Sequence, residues 1–182
     1  MAIPCIPKQA QENGKKKPNN PAYRFKVNGR WESKNWSTYT AEIRQVGKAL
    51  MELGVEHGDK TCILGFNRPE WNLFHIASMS IGAVPAGIYT TCSAEEVSYI
   101  VGHAEAKVML YDAAFQPIVD KMRDKWPTVE HYICFDSGEH TTSFEDWIGE
   151  QDGEFEWVEG DERDPCMICY TSGTTGNPKG VQ

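Results

Sequence analysis

The sequence predicts an α/β fold in which a doubly wound, mostly parallel sheet has helices on both faces. Short apolar segments of strand length alternate with helical patterns along most of the 182 residues. The apolar segments are nearly continuous rather than alternating, which is typical of strands covered on both faces. An Asn-Gly pair between two strand-like runs adds a β-hairpin ahead of this alternation.

The first elements are predicted from turn and capping residues. Residues 22–36 form the expected hairpin, with Asn28-Gly29 as its turn. Thr38 is then predicted to cap a helix that Gly54 ends. The apolar residues of this helix fall on one face, at Ile43, Val46, Leu50 and Leu53.

Strands and helices then alternate. The predicted strands are Thr61–Phe66, Val84–Tyr89, Lys107–Tyr111, Tyr132–Phe135 and Met167–Tyr170. The helices between them begin at Pro69, at a capping box formed by Ser93 and Glu96, and at Pro117, and a last short helix covers Ser143–Ile148. This alternation predicts parallel strands joined by crossover helices.

Composition limits the class of protein. The length suits one ordinary domain with a sizeable core, and the formal net charge of −8 argues against non-specific nucleic-acid binding. Cys166 and Cys169 form a single C-x-x-C without a partner pair or nearby histidines, so no metal site is predicted. The absence of a secretory signal and of an apolar stretch long enough for a bilayer favours a cytoplasmic location.

Two charged segments have competing interpretations. Residues 150–164 carry eight acidic residues against Arg163, which favours a solvated acidic linker over a specific binding segment. Lys15 to Lys17 lie in an N-terminal segment, residues 1–20, that we expect to be a disordered tail. The alternative for these three lysines is a peripheral contact with an anionic membrane, such as the endoplasmic reticulum.

The segment Tyr170–Gly180, Tyr-Thr-Ser-Gly-Thr-Thr-Gly-Asn-Pro-Lys-Gly, has the composition of a phosphate-binding loop. Glycines allow backbone N–H groups to turn toward an anion, hydroxyls donate hydrogen bonds, and Lys179 supplies a positive charge. The segment is not a P-loop, because Pro178 replaces the second glycine and Gly180 replaces the hydroxyl residue after lysine. A strand, a loop and a second strand are therefore predicted here, with a plain surface linker as the alternative.

This loop resembles the phosphate-binding signature of the adenylate-forming (acyl-CoA synthetase/AMP-binding) superfamily. The segments Ile63–Trp71 and Gly87–Thr91 are similar to long-chain fatty acyl-CoA synthetases of the bubblegum type. The resemblance covers residues 20–182 and implies part of a large N-terminal AMP-binding domain over residues 21–182. It also implies that ATP phosphates, with Mg²⁺, bind at Thr171, Ser172, Gly173, Thr174, Thr175, Gly176, Asn177, Pro178 and Lys179.

The resemblance implies an ATP-dependent long-chain fatty acid–CoA ligase with coenzyme A as co-substrate. The family's catalytic residues are expected downstream of Gln182, so the chain is expected to be an N-terminal fragment that is inactive alone. Two other functions stay open: a non-catalytic nucleotide-binding or regulatory module, and a CoA ligase for a shorter or aromatic acid. No nucleic-acid partner is expected.

Four further residues are functional candidates. Asn67 and Arg68 follow a strand at the edge where α/β sheets bind ligands, although a helix cap is the favoured interpretation. His75 and His103 lie on predicted helices without a nucleophile or acid at catalytic spacing, so they are expected to be packing histidines with satisfied hydrogen bonds.

Overall fold

The strands of a computed structural model form a hairpin and a larger open sheet within the residues it describes, which are 5–136, 142–149, 151, 154–160, 163–171 and 176–182. The hairpin pairs β1 (Pro21–Val27) with β2 (Arg30–Asn35). The larger sheet contains β3 (Lys60–Leu64), β4 (Val84–Ile88), β5 (Ala106–Tyr111), β6 (His131–Cys134), β7 (Thr142–Ser143), β8 (Ile168–Thr171) and β9 (Lys179–Val181).

Six α-helices accompany these strands in the described ranges. They are α1 (Ile6–Lys16), α2 (Trp36–Glu52), α3 (Pro69–Ser80), α4 (Ala94–Ala104), α5 (Gln116–Met122) and α6 (Phe144–Ile148). Short 3₁₀ turns at Ala113–Phe115 and Arg123–Lys125 flank α5.

The strand order of the larger sheet is β7-β6-β5-β3-β4-β8-β9. All neighbouring pairs are parallel except the last, in which β9 runs antiparallel to β8. The chain passes from β3 to β4 in one direction and then returns past β3 to β5. Since such crossovers are right-handed, this reversal puts α3 and α4 on opposite faces, and the predicted doubly wound sheet is confirmed.

Each face of the sheet has its own apolar core. On one face, α4 and α5 cover Cys62 and Leu64 together with their neighbours in β4 and β5. On the other face, α2, α3 and α6 cover Ile63 and the alternate residues of β5 and β6. Successive strand residues therefore enter different cores, as the pleat requires.

Local turn and capping signals place most of the elements, with one exception. Asn28 and Gly29 have φ values of 49° and 79°, as a two-residue hairpin turn requires, and the Ser93–Glu96 capping box is present. The predicted cap at Thr38 is wrong: the Thr38 N–H donates to Asn35 Oδ1 at 2.8 Å, so Asn35 is the cap. The helix begins earlier because Asn35 ends β2 and can act as the cap directly.

Helix α1 occupies most of the segment predicted to be a disordered tail. Pro7 and Ala10 are buried, and Gly14 lies so close to Thr40 of α2 that an added Cβ would come within 2.7 Å of its Oγ1. Lys8 also forms an ion pair with Glu159. This short, polar helix is therefore ordered by tertiary contacts with α2 rather than by its own propensity.

The segment predicted to be a solvated acidic linker is partly buried. Trp157 is 7% exposed and belongs to the core that covers α2 and α3, and the Val158 N–H donates to Ser80 O at 2.9 Å. Phe155 packs against Gly47, where a Cβ would lie 2.7 Å from its ring. Aromatic residues between the acidic ones pack this segment against the domain. The prediction of a solvated linker rested on the charges alone and did not take these aromatic residues into account.

None of the helices in the described residues has both the length and the apolar composition needed to cross a membrane.

Candidate nucleotide and phosphate site

The predicted phosphate loop is bordered by β8 and β9. Thr171 pairs with Lys179 and Tyr170 with Gly180 across these antiparallel strands, so the predicted strand after the loop is confirmed. An added Cβ on Gly180 would lie 3.1 Å from Ile168 and 3.2 Å from the Tyr170 ring, so glycine allows this close pairing. Four predicted site residues, Ser172, Gly173, Thr174 and Thr175, lie outside the described residues.

The described residues of the loop present polar groups to solvent. Thr171, Gly176, Asn177 and Lys179 are exposed, and Pro178 is half-buried. Gly176 has a φ of +110°, a conformation that other residues rarely adopt. No carboxylate in the described ranges lies within ion-pair distance of Lys179, so its ammonium group is available to an anion.

Tyr170 anchors the start of the loop to helix α4. It is 3% exposed, and its hydroxyl lies 2.9 Å from Nδ1 of His103, which stacks on Tyr99. Burial raises the pKa of Tyr170 to about 12, so the hydroxyl keeps its proton at neutral pH. His103 is thus a packing histidine with a satisfied hydrogen bond, although its partner, 67 residues away, was not predicted.

A cleft of about 360 Å³ opens beside β8 at the carboxyl edge of the parallel strands. Its walls come from residues 65–67 after β3, from residues 88–90 at the end of β4, and from residues 167–170. Phe66 and Tyr89 are 53% and 63% exposed there, so aromatic surface faces the opening. This is the edge at which open α/β sheets bind ligands.

Arg68 ties together the ends of three neighbouring strands at the point where the strand order reverses. Its guanidinium donates to Asp112 after β5 at 3.1 Å, to Asp136 after β6 at 3.0 Å, and to Glu70 at 2.9 Å. Asp112 also accepts the Phe66 N–H at 2.7 Å. Arg68 is the N-cap position of α3 but makes no side-chain capping bond, so its role is this ion-pair network. Asn67 lines the cleft.

His75 differs from the prediction for packing histidines. Its ring stacks on Trp71 with centroids 5.1 Å apart, but its buried Nδ1 has no hydrogen-bond partner within the described structure. Burial lowers the pKa of His75 to about 4, because protonation would place a positive charge where water cannot solvate it. It is therefore neutral at physiological pH.

The described residues contain no cluster of three His, Cys, Asp or Glu side chains that could hold a metal ion. Cys166 and Cys169 are exposed free thiols. A magnesium ion here would depend chiefly on the oxygens of a bound phosphate, as is common for this ion.

Comparison with known proteins identifies the family of this chain. The sequence pattern of the family described as "AMP-binding enzyme" matches residues 10–182. A long-chain-fatty-acid–CoA ligase of Thermus thermophilus is 38% identical over 151 residues, which are 80% of this chain and 27% of that protein. The long-chain-fatty-acid–CoA ligase ACSBG1 of Rattus norvegicus is 33% identical over 178 residues, which are 90% of this chain and 24% of that protein.

Solved structures show the same fold. The crystal structure of the anthranilate CoA ligase AuaEII in complex with anthranoyl-AMP superposes with a TM-score of 0.86 and 28% identity. The match covers 100% of this chain and 35% of that structure. This chain thus spans about a quarter to a third of the length of the proteins to which it is similar.

Proposed function

Because this chain belongs to the AMP-binding enzyme family, we propose that the whole protein is an ATP-dependent acyl-CoA ligase that acts on long-chain fatty acids. Its carboxylate substrate would be joined to AMP with release of pyrophosphate, and the thiol of coenzyme A would then take the acyl group as a thioester with release of AMP. The relatives reported above, which are CoA ligases, support the reaction class.

One observation carries the proposal: the pairing of β8 with β9 holds Thr171 and Lys179 opposite each other, on either side of the glycine- and hydroxyl-rich loop. The two ends of the loop therefore lie together at one edge of the sheet. An exposed ammonium group without a carboxylate partner in the described structure is suited to a polyphosphate.

The chemistry requires stabilisation of negative charge. As the carboxylate attacks the α-phosphate, charge develops on the departing pyrophosphate, and a fixed cation lowers the barrier. We assign that role to Lys179, and we assign the binding of phosphate oxygens to residues 171–178 of the loop. Mg²⁺ would be held mainly by the phosphates, where it neutralises charge.

The proposal of a long-chain substrate is supported by similarity to the bubblegum-type ligase ACSBG1 and to the bacterial long-chain ligase. A ligase for a shorter or aromatic acid is the second candidate, because a structure determined with anthranoyl-AMP shares the fold with a TM-score of 0.86. The exposed aromatic residues of the cleft, Phe66 and Tyr89, suit an apolar ligand of either kind.

The test is thioester formation by the whole protein with ATP, Mg²⁺, coenzyme A and either palmitate, octanoate or benzoate. We expect palmitoyl-CoA to form fastest, and Lys179→Ala to lower its rate by about tenfold or more. Lys125→Ala is the matched control, since Lys125 is also an exposed lysine and lies in the 3₁₀ turn after α5.

Three results would change the proposal. Equal rates in wild type and Lys179→Ala would remove Lys179 from the site. Faster reaction with octanoate or benzoate would replace the long-chain substrate. A protein that binds ATP but forms neither acyl-adenylate nor thioester with any acid would be a nucleotide-binding or regulatory module.

A further inference from the structure

The charge of the chain is divided very unevenly. The first 34 residues contain eight Lys or Arg and two Glu, a formal charge of +6, whereas the whole chain has a charge of −8. Several of these cations have no carboxylate within ion-pair distance among the described residues: Lys15, Lys17, Arg24, Lys26 and Arg30. Such a basic region on an acidic protein is suited to binding an anionic partner, since these cations form no ion pairs within the described part of the chain.

The hairpin brings part of this charge together with exposed apolar side chains. Because Lys26 pairs with Trp31 and Arg24 with Ser33, these residues lie on one face of the two strands. The Lys26 ammonium lies 5.4 Å from the Trp31 ring centroid, yet Trp31 remains 68% exposed. Lys17 and Arg24 border one shallow cleft, so the basic surface continues from the hairpin to the end of α1.

The other face of the hairpin carries the carboxylate nearest in sequence. Glu32 pairs with Phe25 and therefore lies on the opposite face from Lys26 and Trp31, as do Val27 and Arg30, which pair with each other beside the turn. We define the hairpin surface as Lys17, Arg24, Lys26 and Trp31.

We propose that the hairpin surface docks the protein on an anionic lipid bilayer. Tryptophan is enriched at membrane–water interfaces, where its ring lies at the headgroup level. Each Lys or Arg near such a surface adds attraction to anionic headgroups. Neither signal alone gives stable binding, but one apolar insertion combined with several cations does. The exposed Trp31 beside these cations therefore favours a bilayer, whereas the net charge of −8 of the whole chain disfavours a nucleic acid.

The hairpin lies next to the cleft beside β8, so docking through the hairpin surface would bring that cleft close to the bilayer. A groove of about 780 Å³ runs between the hairpin and α3, lined by Phe25, Trp31 and Trp71. Asn67 and Trp71 line both this groove and the cleft beside β8, so the two openings adjoin. Docking would place the carboxyl edge of the sheet near the bilayer, where fatty acids partition; this last argument rests on the proposed function.

The test is sedimentation of the purified protein with vesicles, without ATP or acid, at an ionic strength of about 0.1 M. Vesicles of phosphatidylcholine mixed with phosphatidylserine are compared with vesicles of phosphatidylcholine alone. We expect binding to the anionic vesicles, and a loss of at least about tenfold in the partition coefficient for the double variant Arg24→Glu/Lys26→Glu. Lys121→Glu/Lys125→Glu changes the net charge equally on α5 and its following turn, and we expect it to bind within about twofold of wild type.

A second measurement reports insertion directly. Phosphatidylcholine with brominated acyl chains, mixed with phosphatidylserine, quenches tryptophans that enter the bilayer, and we expect this quenching to be lost in Trp31→Phe. Circular dichroism checks that each variant folds. No binding to anionic vesicles, equal losses in the two double variants, or binding of a single-stranded oligonucleotide in preference to vesicles would overturn the proposal. Because these assays use no substrate, their result is independent of ligase activity.

Discussion

The hydroxyl of Tyr170, the first residue of the predicted phosphate-binding segment, lies 2.9 Å from Nδ1 of His103 on helix α4. Tyr170 is 3% exposed, and Gly180 of β9 packs against its ring. The loop thus begins at a residue that is fixed from two sides, by a helix on one face of the sheet and by the strand that follows the loop.

Replacing this hydroxyl tests the anchor. We expect Tyr170→Phe to lower the free energy of unfolding by about 1 kcal/mol, because the ring packing stays and His103 loses its partner. Urea denaturation measures the change. Tyr132→Phe is the control, since the half-buried Tyr132 hydroxyl reaches only a carbonyl at 3.5 Å, and its effect should stay below about 0.5 kcal/mol. Equal effects of the two variants would show that the Tyr170–His103 bond adds nothing to stability.

The ion-pair network at the strand ends makes a second prediction. Arg68→Met leaves Asp112, whose side chain is 10% exposed, with the Phe66 N–H but without a cation. We expect a loss of about 2 kcal/mol in the free energy of unfolding, since a mostly buried carboxylate keeps its desolvation cost. Lys121→Met breaks an exposed pair with Glu95 and should cost less than about 0.5 kcal/mol. Comparable losses in both variants would contradict a special role for Arg68.

Alanine substitutions at two glycines should change the stability of the protein in opposite directions. A Cβ on Gly65, directly after β3, would lie 2.5 Å from the Phe135 ring and 2.9 Å from Asp112 Oδ2. Gly65→Ala should therefore destabilise the protein by about 2 kcal/mol. Gly102, inside α4, has nothing within 4 Å of the same position, so Gly102→Ala should stabilise it by about 0.5–1 kcal/mol. Thermal unfolding of the two variants checks the signs, and a stabilised Gly65→Ala would refute the close approach.

His75 predicts part of the acid sensitivity of the protein. Burial lowers the folded-state pKa to about 4, against an ordinary value of 6.5 for the unfolded chain. Below pH 6.5 only the unfolded state takes up this proton, so stability falls as the pH falls from 6.5 to 4. The full effect is on the order of 3 kcal/mol. We expect His75→Gln to lose less stability over this interval in urea denaturation at stepped pH; an unchanged loss would mean that other groups cause it.

The sequence predicted the elements whose causes are local. The Asn28-Gly29 turn, the Ser93–Glu96 capping box and the apolar strands need only neighbouring residues, and the structure has all of them. Helix α1 was missed because its polar sequence is marginal in isolation and is ordered by contact with Thr40 of α2.

The candidate site likewise has some features that follow from neighbouring residues and others that depend on tertiary contacts. Lys179 and Gly176 could be proposed from the sequence because the motif is contiguous, and the structure adds that β9 pairs Lys179 with Thr171. The partners of Arg68 and Tyr170 were not found, since Asp112 and Asp136 lie 44 and 68 residues from Arg68 and His103 lies 67 residues from Tyr170. Only the crossovers of the sheet bring these side chains together.

The separation of the two cores by the sheet has a consequence for how this domain can change. Val101 on α4 and Phe74 on α3 are both fully buried, but they belong to different cores on opposite faces. Substitutions that share no neighbours have free-energy effects that add rather than couple. Each face can therefore accumulate its own substitutions independently of the other, while the strand ends between them keep one arrangement of Arg68, Asp112 and Tyr170.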